Sequence, residues 1–94
     1  MKKVVLNNIE YEIKENIDNC LNVDEISEKL VDTDYFAPYD YIFGDYSYDK
    51  VRLKGFYDTK NPNVKDINDI KNLDTYKKDY CNYGSKTFLL KKID

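Results

Sequence analysis

Few side chains in this 94-residue chain can carry out catalysis, and they stand far apart. There is no histidine, which removes the commonest general base, the commonest zinc ligand and every Ser–His or Cys–His nucleophile pair. The three glycines, Gly44, Gly55 and Gly84, stand singly, so no glycine-rich loop is present to cradle a phosphate. Asp40 and Asp45 could share acid–base work or hold Mg²⁺, but turn-forming or solvated roles account for them as well. Cys20 and Cys81 lack CxxC spacing, and no base stands beside Cys81 in sequence, so both are expected as free, buried thiols. No catalytic residue, metal or cofactor is expected, and the chain is not read as an enzyme.

Recognition chemistry is better supplied. Arg52 is the only arginine among 15 cationic residues. Its guanidinium is a rigid fork that suits a carboxylate or a phosphate. It can clamp Asp45 across a hairpin or anchor a ligand, and the residues alone leave both open. Ten tyrosines are more than a core this small can bury with every hydroxyl satisfied. Tyr46, Tyr48 and Tyr83 are therefore expected near the surface, where they either cap sheet edges or contact a partner. The candidate binding residues are Asp45, Tyr48, Arg52, Lys54, Phe56 and Tyr83. Lys54-Gly55-Phe56-Tyr57 is similar to the core of the RNA-recognition strand signature, but over four residues only.

The net charge of −3 argues against general nucleic-acid binding. Its distribution is uneven. Residues 1–46 carry four lysines against eleven carboxylates, and residues 47–65 carry five cations against two carboxylates. The hydrophobic fraction of 41% is enough for one domain, taken as 1–94. The run Val4-Val5-Leu6 after Met1-Lys2-Lys3 is too short for a secretory core, and no stretch approaches a membrane span. A cytoplasmic monomer is the expectation.

The elements that must position these residues follow from periodicity. Lys3–Leu6 and Ile9–Lys14 read as strands around Asn7-Asn8, a pair that tolerates positive φ, with Ile9, Tyr11 and Ile13 facing the core. Residues 15–21 read as a loop or a single helical turn. Asn22 with Glu25 three residues on reads as a helix start, with an apolar stripe of Val23, Ile26 and Leu30 and an end near Val31. The central stretch from Tyr39 to Tyr57 holds five of the ten tyrosines and reads as a hairpin. Val51, Leu53, Gly55 and Tyr57 are expected on its core face, with Arg52, Lys54 and Phe56 on the other, close to solvent. Gly44 and Gly55 inside strands mark either bulges or close approach of another group. A second helix should begin at Asp66 or Asp69, with the stripe Ile67, Ile70, Leu73, Tyr76, Tyr80, and Asp74 could cap a shorter segment within it. It should end near Asn82 or Gly84. Lys86–Ile93 reads as a last strand with Phe88 and Leu90 on one side. The order ββαββαβ gives an α+β fold, an antiparallel sheet of about five strands with two short helices packed on one face.

Three stretches carry a resemblance. They are Tyr39-Asp40-Tyr41-Ile42-Phe43-Gly44-Asp45, Arg52-Leu53-Lys54-Gly55-Phe56-Tyr57, and Tyr80-Cys81-Asn82-Tyr83-Gly84 followed by Phe88-Leu89-Leu90-Lys91. With Ile9-Glu10-Tyr11-Glu12 they make the chain resemble the YutD-like family of small uncharacterised bacterial proteins from Ile9 onward. Tyr46 stands where relatives tend to have Trp. The resemblance implies a soluble, intracellular, single-domain protein and brings no catalytic residue with it.

The function expected is a non-catalytic module that docks a protein partner through Tyr48, Arg52, Lys54 and Phe56. The alternatives are RNA or ribosome association through the 47–65 cations with Lys86, Lys91 and Lys92, and a small-ligand or hydrolytic protein using Asp40 and Asp45.

Overall fold

The computed structural model describes residues 2–30, 35–47, 50–81 and 85–93. Strands β1 (Lys3–Leu6) and β2 (Ile9–Asn16) form the first hairpin. Asn7 and Asn8 turn it with φ of 52° and 66°, the positive pair that a two-residue turn between twisted strands requires. Tyr11 is buried, and Ile9 and Ile13 pack against the same core. A single turn at Ile17–Asn19 follows, and the Asn16 side chain accepts from the Leu21 N–H at 3.0 Å.

Helix α1 (Val23–Leu30) starts as its sequence predicts. The Asn22 side chain accepts from the Glu25 N–H at 3.1 Å and occupies one of the helix's orphan donors. Ile26 and Leu30, four residues apart, are its buried stripe, while Val23 is exposed and not part of it.

β3 (Tyr41–Ser47) and β4 (Lys50–Phe56) form the central hairpin, and β5 (Thr87–Lys92) closes the sheet. The order is β1-β2-β5-β3-β4, antiparallel throughout. The last strand therefore lies in the centre and joins the two hairpins.

The expectation of both helices on one face is corrected. Ile42 and Phe43 are adjacent in β3, point to opposite faces and are both buried. Ile42, Phe88 and Leu90 pack with Ile26 and Leu30 of α1. Phe43 and Phe56 pack instead with Leu73 of α2 (Leu73–Tyr80), with Tyr76 and Leu89 beside them. A sheet with apolar residues on both faces needs a cover on each, and one helix supplies each cover.

The second helix also begins later than either candidate start. Tyr57 donates its N–H to the Asn68 carbonyl at 2.7 Å and accepts from the Ile70 N–H at 3.0 Å. This pairing holds Asp69 extended, with ψ of 125°, and splits the segment into short turns at Asp66–Asn68 and Ile70–Asn72 before α2. Asp69 is buried and bonded to Thr59 and to the Lys71 N–H. Ile67 is left outside the helical stripe.

Both strand glycines mark close approach. A Cβ on Gly44 would lie 2.0 Å from the Phe88 ring, and one on Gly55 would lie 2.3 Å from the Tyr39 ring. Phe88 is wholly buried, so its ring cannot give way; Tyr39 is only partly buried and can. Gly44→Ala is accordingly expected to cost about 2–3 kcal/mol, and Gly55→Ala less, because overpacking a closed core forces strain. Urea midpoints of the two variants measure the difference, and equal midpoints would contradict the packing argument.

Candidate functional site

The face under α2 brings Asp45, Arg52 and Cys81 close together. Asp45 on β3 stands directly opposite Arg52 on β4. Asp45 is buried, whereas the Arg52 side chain is 51% exposed. Arg52 Nε donates to Asp45 Oδ1 at 3.3 Å, and Nη2 donates to Oδ2. Nη2 also donates to the Tyr80 carbonyl at 3.2 Å, at the C-terminal end of α2, where a cation meets the negative end of the helix dipole. The hydrogen bond to Asp45, and then its charge, raise the guanidinium's pKa still further. Arg52 is thus the intramolecular clamp, and it ties the hairpin to the helix.

A second ion pair holds α2 from the other side. Lys77 Nζ donates to both carboxylate oxygens of Glu15 at 2.8 and 3.0 Å, and Thr87 Oγ1 donates to Glu15 at 2.6 Å. Burial alone would raise the Glu15 pKa, but the bonds from Lys77 and Thr87 outweigh it and hold the carboxyl below the usual glutamate range. Lys77 also lies 5.7 Å above the Phe43 ring.

Phe56 is corrected from a surface residue to a core residue. It is 1% exposed and meets Phe43 and Tyr76 edge-on at 6.3 and 5.5 Å. α2 covers this face, which is why alternation alone misplaced it. Lys54 lies partly buried over Phe56 and Tyr76, 5.1 and 5.6 Å from the ring centroids. Tyr48 and Tyr83 lie outside the described residues.

Beyond Lys54 opens a groove of about 400 Å³ between the Asp66–Asn68 turn and the outer side of α2. Its lining includes Lys54, Asp66, Ile67, Tyr76, Asp79 and Tyr80. Tyr76 and Tyr80 stack at 4.9 Å. Ile67 is 75% exposed and Tyr80 65%. The helical stripe predicts both as core; the later helix start leaves Ile67 outside α2, and Tyr80 is exposed at its last position.

The catalytic alternatives find no converging groups among the described residues. Asp40 and Asp45 stand five residues apart along extended chain, roughly 16 Å. Asp40 accepts instead from the Asp58 N–H at 2.7 Å and Asn61 Nδ2 at 3.0 Å. Both cysteines are free and partly buried, and they belong to opposite faces. Burial raises the Cys81 thiol pKa and the Asp45 carboxylate raises it further, opposite to what a nucleophile needs. Among the described residues no group of three His, Cys, Asp or Glu could hold a metal ion.

Comparison with known proteins gives one consistent result. The family model "Putative antitoxin YutD-like" matches residues 5–91. "Putative antitoxin YutD" of Bacillus subtilis (strain 168) is 36% identical over 90 residues, covering 96% of this chain and 97% of that protein. The solution NMR structure of protein yutD from B. subtilis is similar with a TM-score of 0.76 at 34% identity, covering 99% of this chain and 83% of that one.

Two outcomes test the ion pairs. Arg52→Ala is expected to lower stability by about 2 kcal/mol, less than a fully buried pair because Arg52 is half in solvent. Adding Asp45→Asn should restore part of the loss by removing the stranded charge; a double variant no more stable than Arg52→Ala would refute the clamp. For Glu15 the folded pKa is lowered, so its contribution is present above the unfolded pKa and lost as pH falls through the folded one. The Tm of wild type should therefore fall on acidification below the usual glutamate range, more steeply than that of Glu15→Gln, as calorimetry at a series of pH values would read.

Proposed function

The chain belongs to the YutD-like family, and on that footing we propose that it is a non-catalytic protein-interaction module whose docking surface is the outer flank of α2 and β4. The observation that carries this reading is the groove of about 400 Å³ beside α2, in which Ile67 is 75% exposed and Tyr80 65%. Large apolar and aromatic side chains beside charged ones, held on rigid elements, are what binding hot spots are made of. The name of the B. subtilis relative, "Putative antitoxin YutD", is in keeping with a protein partner. The docking residues of this reading are Lys54, Ile67, Tyr76 and Tyr80; Phe56 supports them from beneath, and Arg52, engaged by Asp45 and the Tyr80 carbonyl, holds the helix that carries them. The reading takes the protein as a cytoplasmic monomer of one domain, residues 1–94.

The RNA reading has less support. Arg52 is engaged by Asp45, Lys77 by Glu15, and Lys92 by the Ala37 carbonyl at 2.6 Å. Cations already paired release few counterions on meeting phosphate.

Affinity capture from native cells, with wild type and an Ile67→Asp/Tyr80→Ala variant, tests the proposal. A protein recovered by wild type should be lost by the variant, since hot-spot truncation costs about 2 kcal/mol or more, roughly thirtyfold in Kd. Both positions are exposed, so the fold should persist. Recovery of RNA instead, or of a protein indifferent to these changes, would overturn it.

A further inference from the structure

The lining of the α2 groove points to one kind of side chain. Asp66 stands on one wall and Asp79 on the other, and neither makes an ion pair among the described residues. Between them lies an aromatic and aliphatic floor. Tyr80 is stacked on Tyr76 at 4.9 Å and yet is 65% exposed, so part of its surface is free to take a further planar group. Ile67 offers aliphatic surface alongside. Lys54 is directed at the Phe56 and Tyr76 rings. Of the lining charges, one lysine stands against two aspartates, so the groove presents a negative rim over an apolar floor.

We propose that this groove receives an arginine side chain of a protein partner, which deepens the docking reading and rests on it. A guanidinium is planar, stacks on an aromatic face and offers donors in a fork that matches a carboxylate in bidentate fashion. Its three-carbon stem covers aliphatic surface, as Ile67 requires. Stacked on Tyr80, it gains cation–π attraction and faces Asp79 or Asp66. Lysine lacks the plane and the fork. A phosphodiester would meet two unpaired carboxylates. A second copy of this chain cannot supply the group, because its only arginine, Arg52, is held by Asp45 and the Tyr80 carbonyl. The partner is therefore a different protein that presents arginine on its surface.

The probe is Nα-acetyl-arginine amide, titrated into ¹⁵N-labelled protein with Nα-acetyl-citrulline amide as the uncharged isostere. Saturable shifts at Ile67, Asp79 and Tyr80 are expected for the arginine compound in the range of about 1–10 mM, and none for citrulline. Asp66→Asn/Asp79→Asn, exposed and isosteric, should weaken binding about tenfold or more while leaving the spectrum of the fold intact. Equal binding of citrulline, shifts centred elsewhere, or no saturable shift with arginine overturns the proposal. The docking reading fails separately: a partner captured by wild type and lost with Tyr80→Ala keeps docking in place even where the arginine compound does not bind.

Discussion

The buried carboxylate of Asp45 needs a cation, and the neighbouring strand supplies Arg52 directly across the ladder. The same guanidinium reaches the Tyr80 carbonyl. Three elements are thereby tied at one point: both arms of the central hairpin and the last turn of α2. This matters because α2 is weakly apolar. Leu73 is its only buried residue, with Tyr76 partly so. Its seat depends on directed polar bonds, from Arg52 at its end and from Lys77 to Glu15 along its side. The groove on its outer flank is only as well shaped as that seat is firm.

The sheet beneath explains why two such covers exist. β5 enters last and pairs with β2 and β3, joining hairpins that are local in sequence into one surface. Its consecutive residues Phe88, Leu89 and Leu90 pack alternately toward α1 and α2. On the α1 face the layers fit because Gly44 leaves room for the Phe88 ring. On the other face, aromatic edges meet around Phe43, Phe56 and Tyr76, with Lys54 and Lys77 over their rings. One face is thus closed by mixed aliphatic and aromatic packing and the other by aromatic and ionic contacts, and the open groove lies beside the second.

Much of the fold was legible because its signals are local. The Asn7-Asn8 turn, the Asn22 cap, the alternation of Tyr11 and Ile13, and the pairing of Asp45 with Arg52 each depend on residues a few positions apart. The helix placement was less legible. Ile42-Phe43 and Phe88-Leu89-Leu90 are unbroken apolar pairs and runs, which in a strand mean burial on both faces; alternation along a single strand does not show it. The Ile67-to-Tyr80 stripe is periodic, but periodicity cannot register that Tyr57 would claim the backbone groups of Asn68 and Ile70.

The order of residues is enough for the element types, the antiparallel hairpins, the lack of histidine chemistry and the presence of a single guanidinium near a carboxylate. Local dihedral preference and side-chain spacing suffice for these. It takes the folded chain to place Phe56 in the core, to bring Glu15 to Lys77 across 62 residues, and to leave Ile67 and Tyr80 facing outward over a groove. Each of those depends on which faces of the sheet are covered, a property of packing between distant segments that no short window of residues contains.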